Sequence, residues 1–67
     1  MTSFHAFLIA AAELRSVSSD PWRDIGADVA ADTAAPQSDA VLHAYLKQRV
    51  DEDLLEDAWR EYLMVRS

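Results

Sequence analysis

Residues 51–63 read DEDLLEDAWREYL, and this stretch decides the fold class. Its apolar side chains recur at three- and four-residue spacing, so they form one stripe of an amphipathic helix: Leu54, Leu55, Ala58, Trp59, Tyr62 and Leu63. Acidic residues crowd its start, where the helix dipole favours negative charge, and Arg66 lies at its opposite end. The pattern predicts a helix over residues 51–66, with a favourable pair between Glu56 and Arg60.

A second helical pattern opens the chain and covers residues 3–15. Thr2 or Ser3 can cap its first amides. Its apolar face has helical spacing and consists of Phe4, Phe7, Leu8, Ala11 and Leu14. The serine-rich residues 16–19 break the period and predict a loop.

The next helix is predicted over residues 20–33, because Asp20 is a good cap and Pro21 suits the first helical position. Its inward face consists of Trp22, Ile25 and Val29. Gly26 lies in its middle and costs about 1 kcal/mol relative to alanine. A helix accepts that cost most easily where another helix approaches closely, so we expect a close helix contact at Gly26.

The remaining helix is predicted after Ser38, over residues 38–49, since Pro36 blocks continuation of the preceding one. Its inward residues are Val41, Leu42, Tyr45 and Leu46. No stretch alternates with the period of a strand. We therefore predict a single all-α domain over residues 1–67, a small four-helix bundle whose core comes mostly from the first and last helices.

Composition limits the classes of function. The chain has 67 residues, no cysteine and one glycine, and its 6 basic and 12 acidic residues give a net charge of −6. This length excludes a two-domain enzyme with a deep pocket, and the lack of cysteine excludes a disulfide scaffold or a cysteine-ligated zinc site. The negative charge argues against tight binding to phosphate backbones.

The apolar run at residues 4–12, interrupted only by His5, resembles the core of a signal peptide. No lysine or arginine precedes it, and it is far shorter than the roughly 20 residues that cross a bilayer. We expect a buried helix in a cytoplasmic protein that does not bind membranes.

Several short motifs follow one another along almost the whole chain. They are, in order, Ser3-Phe4 with Phe7-Leu8, DIGADVA at 24–30 with Asp32 and Pro36, LHAYL at 42–46, and AWREY at 58–62. Their order and spacing resemble the YozE-like family of small bacterial proteins, which also occurs in actinobacteria and their phages. The resemblance implies a four-helix fold similar to sterile alpha motif (SAM) domains. It implies no activity, and it suggests nucleic-acid binding only by analogy of fold.

The second helix carries acidic residues at four-residue spacing: Asp20, Asp24, Asp28 and Asp32. The series turns slowly around the helix and is expected to face solvent. It is either a solvated surface balanced by the chain's own basic residues, among them Lys47, Arg49 and Arg60, or a docking surface for a basic partner. A divalent metal site would need oxygens converging from more than one turn.

The residue pattern gives little support for a catalytic or metal-binding site. His5 and His43 lie beside apolar positions and are expected to be boundary histidines rather than zinc ligands. No nucleophile follows a strained turn, and no glycine-rich loop offers an oxyanion hole or a phosphate cradle. We expect no enzyme activity, no cofactor and no metal. Trp22 either closes one end of the core or, if exposed, anchors an interface.

The sequence therefore predicts a non-enzymatic, acidic protein–protein interaction module of unknown cellular role. Its expected partner-binding residues are Trp22, Asp24, Asp28 and Asp32. Self-association is a special case that needs a basic patch on the same chain. The alternatives are association with nucleic acid through Lys47 and Arg49, or an acidic protein that imitates DNA and binds a DNA-binding protein.

Overall fold

The computed structural model describes residues 3–14 and 20–66, which form four α-helices and no strand. The helices are α1 (Phe4–Glu13), α2 (Asp24–Ala31), α3 (Asp39–Lys47) and α4 (Glu52–Arg66), with a 3₁₀ turn at Pro21–Arg23 before α2. The prediction of a small all-α helical bundle is confirmed.

Helix α1 begins as the sequence predicts. The Ser3 hydroxyl accepts a hydrogen bond from the Ala6 N–H at 3.1 Å, so Ser3 is the cap, whereas Thr2 lies outside the described residues. The helix ends at Glu13, and the Leu14 N–H donates to the Ala11 carbonyl at 3.1 Å. The predicted loop at 16–19 also lies outside the described residues.

The second helical segment is shorter and less regular than predicted. Its first turn is 3₁₀, and the Asp20 carboxylate does not cap it but lies 3.4 Å from the Arg23 Nε. Helix α2 ends at Ala31, because Asp32 adopts an extended backbone (φ −100°, ψ 100°) and accepts a hydrogen bond from the Ala34 N–H at 2.9 Å. Asx turns of this kind compete with helical bonding and stop helices.

Helices α1 and α2 approach each other at Gly26. A Cβ placed on Gly26 would lie 1.9 Å from the Leu8 carbonyl oxygen and 2.8 Å from the Ala12 Cβ. Only a residue without a side chain allows the two backbones to come this close. The predicted reason for the glycine, a close helix contact, is confirmed.

The core joins all four helices and the 3₁₀ turn. Its buried residues are Phe4, Leu8, Ala11, Trp22, Ile25, Val29, Leu42, Leu46, Leu55, Ala58 and Tyr62. More than half of these described core residues come from α1 and α4, as predicted.

Three apolar residues that were predicted to face inward do not. Val41 and Leu14 are each 54% exposed, and Leu63 is 40% exposed. Each helical residue is rotated about 100° from its neighbour, so Val41 lies beside the narrow face that buries Leu42 rather than on it. The apolar stripes predicted from the sequence are thus wider than the faces that the bundle covers.

Asp39 connects three helices, a role that the sequence pattern did not suggest. From the first turn of α3, one oxygen accepts from the Phe4 N–H of α1 at 3.0 Å and the other from the Tyr62 hydroxyl of α4 at 2.5 Å. Arg66 Nη1 lies 3.9 Å from the same carboxylate. The bond to Phe4 satisfies an amide at the start of α1 that has no partner within its own helix.

No helix within residues 3–14 and 20–66 combines the length and the apolar composition that crossing a membrane requires.

Candidate functional site

The exposed side of α2 carries two carboxylates, Asp24 and Asp28, which we call the acidic face. Both are exposed because Ile25 and Val29, on the opposite side of the helix, are buried against the core. Within the described part of the chain, neither carboxylate takes part in an ion pair. Two like charges four residues apart destabilise a helix slightly, and no cation in the described part of the chain pairs with either of them.

Asp32 does not continue this face, which corrects the prediction of a solvent-facing series through residue 32. It lies beyond the end of α2, and its carboxylate accepts hydrogen bonds from the Tyr45 hydroxyl of α3 and from the Ala34 N–H. The Arg49 guanidinium lies over the Tyr45 ring, 3.8 Å from its centroid. Asp32 therefore links the end of α2 to α3.

These contacts change the acidity of both members of the pair. The Tyr45 hydroxyl first, then the Ala34 amide and the positive charge of Arg49, hold the pKa of Asp32 below its ordinary value. The hydrogen bond to Asp32 raises the pKa of Tyr45. At Asp39 the bonds from Tyr62 and from the Phe4 amide likewise lower the carboxyl pKa, and the pKa of Tyr62 is raised.

Acid is therefore expected to destabilise the fold through Asp32 and Asp39. Since folding lowers both pKa values below the ordinary 3.8, their contribution is present above pH 3.8 and is lost as the pH falls through the folded values. We expect a Tm that is nearly constant around neutral pH and falls below pH 4, measured by circular dichroism.

The substitutions Asp32→Asn and Asp39→Asn together should lower the Tm at neutral pH and flatten its fall in acid. The matched control is Asp53→Asn with Glu61→Gln, which removes two exposed carboxylates that form no ion pair in the described part of the chain. If the control flattens the acid dependence as much, net charge rather than these hydrogen bonds sets it.

Four of the five basic residues that the structure describes form an ion pair with one of the chain's own carboxylates. The nitrogen-to-oxygen distances are 3.4 Å for Arg23 and Asp20, 3.8 Å for Lys47 and Glu52, 3.5 Å for Arg60 and Asp57, and 3.9 Å for Arg66 and Asp39. Arg49 lies near Asp32. The two residues predicted for nucleic-acid contact, Lys47 and Arg49, are thus partly neutralised within the fold.

Trp22 closes one end of the core, which was the first of the two alternatives for this residue. It is 7% exposed, and its ring stacks on Phe7 with centroids 5.7 Å apart and an interplanar angle of 11°. The neighbouring Arg23 donates from Nη1 to the Ala11 carbonyl at 3.0 Å and so fixes the 3₁₀ turn on α1. An exposed tryptophan anchor is therefore absent at this position.

The described histidines lie at the boundary of the core. His43 packs on Trp59 with ring centroids 4.8 Å apart, and its Nε2 lies 3.2 Å from Glu56 Oε1. Glu56 thus contacts His43 instead of the predicted Arg60, which pairs with Asp57. Among the residues that the structure describes, no three histidine or acidic side chains are grouped as metal ligands.

A cleft of about 170 Å³ is formed by α2 and the connection after it on one side, and by the end of α3 with Arg49 and Val50 on the other. Its apolar wall consists of Val29, Ala35, Leu46 and Val50, and its polar rim of Asp28, Asp32, Tyr45 and Arg49. The cleft brings together Asp28 and Asp32 from the acidic series and Arg49 from the nucleic-acid hypothesis. Neither Trp22, Asp24 nor Lys47 lines it.

Sequence reasoning missed the cleft because its wall comes from four separate positions in α2, α3 and the two connections. No period joins these positions, and Ala35 and Val50 belong to no helix. Comparisons with protein-family models, with curated proteins and with solved structures gave no significant match for this chain. The likeness to the YozE-like family and to SAM domains therefore stays a prediction.

Proposed function

We propose that this chain is a non-enzymatic, cytoplasmic protein–protein interaction module whose acidic face on α2 binds a basic partner protein. The observation that carries the proposal is that, among the described residues, the carboxylates of the acidic face are unpaired, whereas most basic residues are paired with other carboxylates. Asp24 and Asp28 are exposed without an ion pair in the described part of the chain, while four of the five described basic residues are paired with other carboxylates. The fifth, Arg49, lies over the Tyr45 ring.

Rigidity supports the same choice. Gly26 lies between Asp24 and Asp28 and packs closely against α1, so the backbone positions that carry the two carboxylates keep a fixed spacing. Charges of one sign on a fixed helix steer and orient a partner of the opposite sign.

The alternatives have less support. Nucleic-acid association through Lys47 and Arg49 would place phosphate groups close to Glu52 and Asp32, in a chain of net charge −6. Self-association would require the acidic face of one copy to bind basic residues of a second copy. The described basic residues already make contacts within their own copy. Imitation of DNA is compatible with the acidic face, and it would make the partner a DNA-binding protein.

The test is affinity capture from nuclease-treated native lysate of the source cell. Wild-type protein is compared with the Asp24→Asn, Asp28→Asn double variant, after circular dichroism has established that both are folded. We expect the double variant to lose at least one protein that the wild type retains, because the removed charges are those that meet the partner.

The matched control is the Asp53→Asn, Glu61→Gln variant, which changes the net charge by the same amount on α4. We expect it to keep the partner. Capture of the same proteins by all three would contradict the proposal. A signal that appears only when nuclease is omitted would favour the nucleic-acid alternative.

A further inference from the structure

We propose that the cleft between α2 and α3 receives a lysine side chain of the partner protein. This inference rests on the proposed function and names the residue type that the acidic face recognises. It follows from the shape of the cleft, the charges on its rim and the contact that Arg49 already makes.

The shape fits the stem of a long cationic side chain. The cleft of about 170 Å³ is smaller than the ~300–1,000 Å³ typical of pockets for small-molecule ligands. Its wall is apolar along Val29, Leu46 and Val50. Lysine and arginine lay their methylene groups along apolar surface of this kind and keep the charged end near water.

The charge at the rim fits the end of that side chain. Asp28 is exposed and forms no ion pair in the described part of the chain. Asp32 is already bonded to Tyr45, and Arg49 at the same rim carries the opposite charge. The charge that remains at the rim is that of Asp28, and it attracts a single cation.

Arg49 favours lysine over arginine as the occupant. Arginine gains much of its advantage at protein interfaces by stacking on aromatic rings. The guanidinium of Arg49 already lies 3.8 Å from the centroid of the Tyr45 ring, which is the aromatic ring on the rim of this cleft. An ammonium group needs no such surface, because it interacts as a compact point charge.

Two labelled peptides test whether the cleft holds the lysine side chain or whether the acidic face attracts any amine. One alternates lysine with serine, and the other replaces each lysine by 2,4-diaminobutyrate, which keeps the amine and removes two methylene groups. Fluorescence anisotropy at low salt gives both dissociation constants. We expect the lysine peptide to bind about fourfold more tightly, because burial of about one of its two additional methylene groups is worth about fourfold in affinity.

Three single variants locate the effect. Ala35→Leu fills the cleft and Asp28→Asn removes the charge at its rim, so each should reduce the fourfold preference for lysine towards one. Arg49→Gln removes the cation that competes at the rim, and it should tighten lysine-peptide binding by about two- to fivefold. Lys47→Gln is the matched control, since it removes the same charge outside the cleft, and its effect should be clearly smaller. Circular dichroism checks that each variant is folded.

The outcomes distinguish the two proposals. Equal affinity for both peptides, weakened by the Asp24→Asn, Asp28→Asn variant, would overturn the cleft inference and leave the acidic face as the binding surface. Weaker binding of Arg49→Gln, or equal effects of Arg49→Gln and Lys47→Gln, would also overturn it. If neither peptide binds, the cleft inference fails, and the capture experiment decides the proposed function separately.

Discussion

Replacing Gly26 by alanine is expected to unfold the protein or to lower its free energy of unfolding by about 3 kcal/mol or more. The added Cβ would lie 1.9 Å from the Leu8 carbonyl oxygen, which is a backbone atom within α1 and cannot rotate away. Helices α1 and α2 would have to separate along the contact that buries Ile25 and Val29. A domain of 67 residues has only about 3–10 kcal/mol in total.

Urea denaturation followed by far-UV circular dichroism measures this loss. The control is Ala30→Gly at an exposed position of the same helix, which should cost only about 1 kcal/mol through helix propensity. Propensity alone predicts the opposite order, since alanine is the better helix former. A Gly26→Ala variant as stable as the wild type would show that α1 and α2 are not in close contact there.

Features that depend on neighbouring residues could be predicted from the sequence. The Ser3 cap, the interruption before α3 and the apolar spacing of α4 each arise within one or two helical turns. Gly26 belongs to this group as well, because its cost is local and requires a compensating close contact. These signals suffice for an all-α bundle, whereas the exact helix ends depend on turns such as that at Asp32.

The roles of Asp32 and Asp39 could not be predicted in this way. Asp32 bonds to Tyr45, 13 residues away, and Asp39 bonds to Phe4 and Tyr62, which are 35 and 23 residues away. Four-residue spacing assigned Asp32 to the exposed series because a helical pattern does not show where the helix stops. The same reasoning found Asp24 and Asp28, since both lie within α2.

The cleft is the part of the candidate site that could not be predicted from the spacing of residues. Spacing predicted an acidic face, and it treated Arg49 as part of a different, basic surface. The positions that α2 and the end of α3 take on either side of the cleft bring Asp28 and Arg49 to one rim. Interhelical geometry therefore decides what the acidic face can recognise, although the sequence indicates where the unpaired charge lies.

Phe4→Ala is expected to cost about 3–5 kcal/mol, enough to unfold much of the population. Phe4 is completely buried, its ring meets Trp59 edge-on with centroids 4.8 Å apart, and it lies 5.2 Å from the ring of Tyr62. The substitution removes apolar burial and leaves a cavity between α1 and α4. Urea denaturation measures the cost, and near-UV circular dichroism reports the altered packing of Trp59.

Two further variants serve as comparisons for Phe4→Ala. Phe4→Leu keeps most of the buried volume and should cost about 1.5 kcal/mol, while Val41→Ala, exposed on α3, should change stability by less than about 0.5 kcal/mol. The Phe4 N–H donates to Asp39, and neither substitution of Phe4 removes this backbone donor. Because the ring also packs on Tyr62, whose hydroxyl bonds to Asp39, we expect Phe4→Leu and Asp39→Asn to be non-additive. Strict additivity would mean that the ring and the carboxylate stabilise α1 independently.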